Sequence, residues 1–262
     1  PHIMAEYSDQ SDKNKRKDKE DNHPRPSADK SDDQVKNKQE LAQNKQNLAS
    51  DDSPNKLSQI FQVCLAQPTQ ATDIHQKIIT QELNWLLHII YYRCTHPTEH
   101  ISAQALENTH KGFQKSLIKM PDIDTNAHYH QWLVQANIDQ QFPERLLLAL
   151  TLCTYLSTPL LYPLSLLWEY EEISAWVGGS FEPKKNHFAP TIRSFFYLLS
   201  GPSQVAHNQS FLHFSPSHPL FQQGIVQINP DQSEESLPNL TLKCNKAYVQ
   251  YFLGGDMPRP ED

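Results

Sequence analysis

The chain has 262 residues, 37% of them hydrophobic, and a formal net charge of -7. That composition supports one good core or two modest ones and excludes collagenous and coiled-coil chains, and with no large basic block in the apolar part it disfavours a nucleic-acid partner. Its cysteines, Cys64, Cys94, Cys153 and Cys244, lie far apart without a Cys-x-x-Cys pair, which reads as buried free thiols in a reducing cytosol.

Pro1-His2-Ile3 reads as a remnant preceding Met4, and the polar residues after it lack a secretory pattern, so a cytoplasmic location is expected. From Met4 to about Asn55, twelve acidic residues face ten Lys and Arg among Gln, Asn and Ser. Such a segment cannot bury enough apolar area to offset chain entropy, so residues 1–56 are expected to form a disordered polar tail.

Leu57, Ile60, Phe61, Cys64 and Leu65 then recur at helical spacing up to Pro68. Thr72 or Asp73 can cap a stronger helix carrying Ile74, Ile78, Leu83, Leu86, Leu87, Ile90, Tyr91 and Cys94 and ending before Pro97. A weaker helix is expected over Ser102 to Met120, and another over Asp124 to Ala136. Phe142-Pro143-Glu144-Arg145 leads into Leu146 to Leu156, with Pro143 suited to a first helical turn, and Thr158-Pro159 begins the following helix in the same way. The apolar run Leu146 to Trp168 approaches membrane-spanning length, but Pro159 and Pro163 break it and Thr151, Thr154, Tyr155 and Tyr162 interleave polar groups. Two buried core helices fit it better, and no membrane partner is expected.

Gly178-Gly179 opens a linker. Ala189-Pro190-Thr191 introduces a helix with Ile192, Phe195, Phe196, Leu198 and Leu199 inward, stopped by Ser200-Gly201-Pro202. Further helices are expected near Gln204 to Phe211 and Ser217 to Gln223. The alternating runs Ile225 to Ile228 and Leu240 to Lys243 read as a β-hairpin around the polar turn Asn229 to Asn239, and Asn245 caps a last helix, Lys246 to Leu253. The expected fold is mainly α: a disordered tail (1–56), an all-helical domain (57–177), a linker (178–188) and a winged-helix-like domain with a small β-hairpin (189–262).

The residues offer no complete active site. Gly178-Gly179-Ser180-Phe181-Glu182-Pro183-Lys184-Lys185 has glycines and lysines, but its proline and missing second glycine depart from a P-loop, and no Gly-x-Ser-x-Gly elbow occurs. His128-x-His130 and His96-x-x-x-His100 lack a Cys or carboxylate at familiar spacing and read as surface or packing histidines. Glu169, Glu171 and Glu172 read as a solvated helix end rather than paired catalytic carboxylates. Catalytic, cofactor-binding and metal residues are therefore all expected to be none. A DNA-reading third helix should carry Arg or Lys, whereas His218-Pro219-Leu220-Phe221-Gln222-Gln223 has neither and the wing turn carries Asp231, Glu234 and Glu235. Protein contact is the default use of such a domain. The alternative is a stand-alone winged-helix nucleic-acid binder using the Lys13 to Lys19 cluster as an electrostatic arm.

Phe142-Pro143-Glu144-Arg145-Leu146-Leu147-Leu148-Ala149-Leu150 resembles the leucine-rich helix before the winged-helix part of a family of large bacterial AAA+ ATPases. Phe188-Ala189-Pro190-Thr191 with Phe196-Tyr197-Leu198-Leu199-Ser200-Gly201 is similar to a second segment of that family. Leu220-Phe221, Ile225 to Ile228, Leu237 to Leu242, Ala247-Tyr248-Val249 and Phe252-Leu253-Gly254-Gly255 resemble a third. The resemblance covers about Gln141 to Pro260. Two departures stand out: Ser236-Leu237-Pro238 replaces a Glu-Pro before the second wing strand, and an Arg is replaced near His207. Some members of the family are encoded with contractile, phage-tail-like injection systems. The resemblance implies the N-terminal recognition or adaptor region of a cytoplasmic AAA+ ATPase that binds a protein client or adaptor of such a system. An AAA+ module would follow Asp262 in a hexameric parent and supply the ATP and Mg sites, leaving this chain non-catalytic and without a cofactor.

Overall fold

The computed structural model describes residue 59 and residues 73–101, 118–182, 187–228 and 237–259. These lie in a compact unit spanning Asp51–Asp262; the other unit, Pro1–Ser50, lies outside the described residues. So do the tail, the short helix expected from Leu57 apart from residue 59, most of that expected over Ser102 to Met120, and the carboxylates Asp231, Glu234 and Glu235. The described fold is mainly α with two small antiparallel hairpins. None of its helices is long and apolar enough to cross a membrane.

Helix α1 (Ile74–Thr95) begins where Asp73, in extended backbone, accepts the Gln76 N–H at 3.3 Å, which satisfies one of the unpaired first-turn donors. Its buried stripe holds Ile78, Ile79, Leu83, Leu86, Leu87 and Ile90, with Glu82 and Arg93 on the same side. Helix α2 (His128–Gln135) is shorter than its apolar pattern suggests, because Asp124 Oδ1 accepts the Asn126 N–H at 3.0 Å and holds a turn instead. Helix α3 (Phe142–Leu156), with Pro143 in its first turn, is buried almost all round and packs on α1 and on elements from later in the chain.

The single helix expected after Thr158 is instead a succession of short turns. A 3-10 turn (Thr158–Leu161), α4 (Tyr162–Leu166) and a second 3-10 turn (Leu167–Glu169) follow one another, since Pro159 and Pro163 each remove a backbone donor. Helix α5 (Glu171–Val177) comes next. Within the stretch 178–188, read from sequence as a linker, strand β1 (Ser180–Glu182) pairs antiparallel with β2 (His187–Ala189), Phe181 opposite Phe188. Gly179, at φ +83°, leaves no room for a Cβ against the Phe188 ring, which packs 5.4 Å from Trp168.

Helix α6 (Ile192–Ser200) starts at a capping box: Thr191 Oγ1 accepts the Ser194 N–H and Ser194 Oγ accepts the Thr191 N–H. Helix α7 (Gln204–His213) and the one-turn α8 (Pro219–Gln222) follow, the latter shorter than the helix expected over Ser217 to Gln223. Strand β3 (Val226–Ile228) pairs antiparallel with β4 (Leu242–Cys244), and Thr191 bridges Thr241 beside them. Helix α9 (Lys246–Phe252) is capped by Asn245 Oδ1, which accepts the Ala247 N–H at 2.8 Å. Cys94, Cys153 and Cys244 are free thiols buried in a core that runs from α1 to α9.

The last turn of α6 is completed by groups far away in sequence. Gly201, at φ +72°, donates its N–H to Tyr197 O at 2.8 Å. Arg93, wholly buried on α1, donates from Nε to Leu198 O at 2.9 Å and from Nη2 to Leu199 O at 3.2 Å, and Ile101 N–H donates to Ser200 O at 2.9 Å. The last four carbonyls of the helix, unpaired within it, all find donors. Burial lowers the Arg93 pKa to about 10, so the group still carries its charge at neutral pH, where it complements the negative end of the helix dipole.

Arg93→Met takes the side-chain donors from the buried Leu198 and Leu199 carbonyls. Urea denaturation should show a loss of about 3–5 kcal/mol. Arg93→Lys should recover only part of it, because one ammonium cannot serve diverging acceptors in the guanidinium's fork geometry.

Candidate functional site

Two consecutive charged residues in the first turn of α3 are almost fully buried and project into different surroundings. Arg145 forms an ion pair with Glu82 of α1, and its Nη1 donates to Pro121 O and Asp139 O, both at 3.1 Å. His130 Nε2 donates to the same Glu82 oxygen, Oε1, that takes Arg145, and Tyr129 Oη donates to the other, Oε2, each at 3.4 Å. The His130 tautomer is fixed from behind, since its Nδ1 accepts the Asp124 N–H at 2.8 Å. Burial, with the Glu82 charge adding to it, raises the Tyr129 pKa well above the ordinary tyrosine range.

Glu144 faces α7 and α8. Its Oε1 accepts from His213 Nε2 at 2.6 Å and lies 3.4 Å from His218 Nε2. Burial alone would raise the Glu144 pKa, but hydrogen bonds from His213 and His218, a backbone hydrogen bond and the His213 charge outweigh it and bring it down to about 2. The hydrogen bond to Glu144 in turn raises the His213 pKa against the opposing effect of burial. The His218 side chain is 10% exposed and that of His213 is 55% exposed, so the cluster is closed on one side and open to solvent on the other. His218 Nδ1 accepts the Leu220 N–H at 3.2 Å, which caps α8 and leaves the ring proton on Nε2, facing Glu144. Phe214, buried between the two histidines in sequence, packs edge-on against His213 at 4.7 Å and tilted against His218 at 4.9 Å.

The residues singled out from sequence stand elsewhere. His128 and His130, two apart on α2, do not converge: His128 stacks on Tyr251 and its Nδ1 lies 3.0 Å from Tyr251 O, whereas His130 enters the Glu82 network. His96 stacks on Tyr92 at the end of α1, and His100 is exposed four residues later. Glu169, Glu171 and Glu172 are exposed. Sequence reading passed over Glu144, His213 and His218 as a group because about 70 residues separate the carboxylate from the imidazoles. The available signals were an acid beside Pro143 at a helix start and the His213-x-x-x-x-His218 spacing.

Helix α7 has two distinct faces. Ala206, His207 and Ser210 point inward, while Val205 (61% exposed) and Leu212 (77%), two turns apart, point out with Phe211 beside them. His207 is buried edge-on to Trp176 at 5.2 Å and donates from Nε2 to Gly201 O at 2.8 Å. Burial, aided by the Arg193 and Arg93 charges and only partly offset by that hydrogen bond, lowers its pKa to about 4.

The ordinary histidine value is near 6.5, so between that pH and about 4 the unfolded chain takes up a proton at His207 that the folded chain does not. Stability falls as pH drops through this window. His207→Gln keeps an amide donor near the position of Nε2 and removes the titration. Measured by urea midpoints, the stability of the unsubstituted chain relative to this variant should fall by about 1–2 kcal/mol from pH 7 to pH 5.

No family model, no curated protein and no solved structure matches the chain.

Proposed function

We propose that this chain is the non-catalytic recognition region of a cytoplasmic AAA+ ATPase, holding a protein client or adaptor, with a contractile injection system as the setting suggested by its family resemblance. The observation that carries the reading is the outward face of α7. Val205 and Leu212 stand two turns apart and largely exposed, on a helix whose opposite face is locked into the core. Paired aliphatic side chains on a rigid helix are suited to contact with another apolar protein surface. ATP and Mg would belong to a following motor module, as would the hexameric assembly.

The order α6, α7, α8, β3, β4, with the Thr191–Thr241 bridge beside the hairpin, supports a winged-helix arrangement for this region. Its third helix is a single turn, Pro219–Gln222, without Arg or Lys. Reading a major groove takes several side chains presented along one helix, so the helix favours a protein partner over duplex DNA.

A paired substitution, Val205→Glu with Leu212→Glu, should leave the circular dichroism and melting temperature within experimental scatter. With the chain as bait in extracts of its source cell, quantified by mass spectrometry, the same variant should lose a protein that the unsubstituted chain retains. An unchanged interactor list would overturn α7 as the contact face. Oligonucleotide binding that weakens steeply from 50 to 200 mM salt would move the function to nucleic acid.

A further inference from the structure

Glu144, His213 and His218 bring one carboxylate oxygen and two imidazole nitrogens within 4.8 Å of one another. Two imidazoles and a carboxylate form a donor set used by zinc and by non-haem iron sites that keep coordination positions open. We propose that these three residues bind a divalent transition-metal ion of the zinc class, which clamps the α7–α8 junction onto the first turn of α3. The inference does not depend on the identity of the chain's partner.

Each donor is held by its element. Glu144 is fixed in a buried helical turn, His213 ends α7, and His218 is the N-cap of α8, with the buried Phe214 packed against both rings. Tetrahedral coordination at 2.0–2.1 Å places donors about 3.3 Å apart. The Glu144 oxygen is 2.6 Å from His213 Nε2 and 3.4 Å from His218 Nε2, values that straddle this spacing. A small rotation of the solvent-facing His213 ring opens the space, and the ion replaces the protons that now bridge the three groups. The exposed side at His213 provides the entry path and leaves room for water or a partner's side chain as a further ligand.

Ligation has a structural consequence at α8. A metal on His218 Nε2 requires the remaining ring proton to sit on Nδ1, the atom that now accepts the Leu220 N–H. Metal binding therefore exchanges the cap of α8 for the clamp to α3, and Leu220 becomes a reporter of occupancy.

The test is titration of zinc chloride into chelator-treated chain by calorimetry, with cobalt(II) as a spectroscopic substitute. The expected result is one saturable site of micromolar affinity or tighter, a visible cobalt band, and an altered Leu220 amide signal in the NMR spectrum. His213→Ala, at a half-exposed position, should retain the fold and lose affinity by more than about a hundredfold, since even outer-shell partners of metals are worth 10–100-fold. Glu144→Gln and His218→Ala should act in the same direction, whereas His88→Ala, at an exposed histidine on α1, should change nothing. Undiminished binding by His213→Ala would assign the ion to other histidines and overturn the proposal, as would the absence of a saturable site.

Discussion

The ion pair between Glu82 and Arg145 constrains everything around it, because both groups are fully buried and neither charge can be left without its partner. A buried pair adds little net stability over an apolar filling of the same shape, yet removing one partner costs about 3–5 kcal/mol through the charge left behind. Its contribution is specificity of arrangement. Donors from Tyr129 and His130 on α2, and acceptors at Pro121 and Asp139, must converge on the pair. Helices α1, α2 and α3 are thereby tied to one register. The preceding residue in the turn, Glu144, points away from this network and toward α7 and α8, so one helical turn orients both halves of the polar interior.

Much of the fold was legible in the sequence because its signals are local. Asp73, Thr191 and Asn245 cap the helices that follow them, Pro143 opens α3, and Gly201 closes α6. The departures also have local causes. The Asp124 turn shortens α2, paired prolines divide the segment after Ser157, and three-residue strands such as β1 and β2 are too short to display an alternating pattern. His218 caps α8 through its ring, yet the helix beyond it is only one turn long.

The site was far less legible, since its chemistry depends on long-range convergence. Glu82 lies on the same stripe as Ile78 and Leu86, and Arg145 is followed by a run of leucines. Each is a charge where periodicity calls for an apolar residue, which is a readable sign of a buried partner. Glu144 carries no such sign, because acids are common in first helical turns. What makes it unusual is its burial beneath two histidines some 70 positions away, and no local pattern encodes that.

The completion of α6 by Arg93 and Ile101 bears on how the chain divides. A helix whose terminal carbonyls are served by another part of the chain is not self-sufficient, and the donor is dependent in turn, since two of the carbonyls that Arg93 serves in the apolar interior belong to α6. The two halves on either side of the β1–β2 hairpin therefore complement each other as lock and key within one polypeptide. If a protease severed the connection, the fragments would have reason to remain associated, each supplying what the other lacks, and the nick would be silent until denaturant separated them.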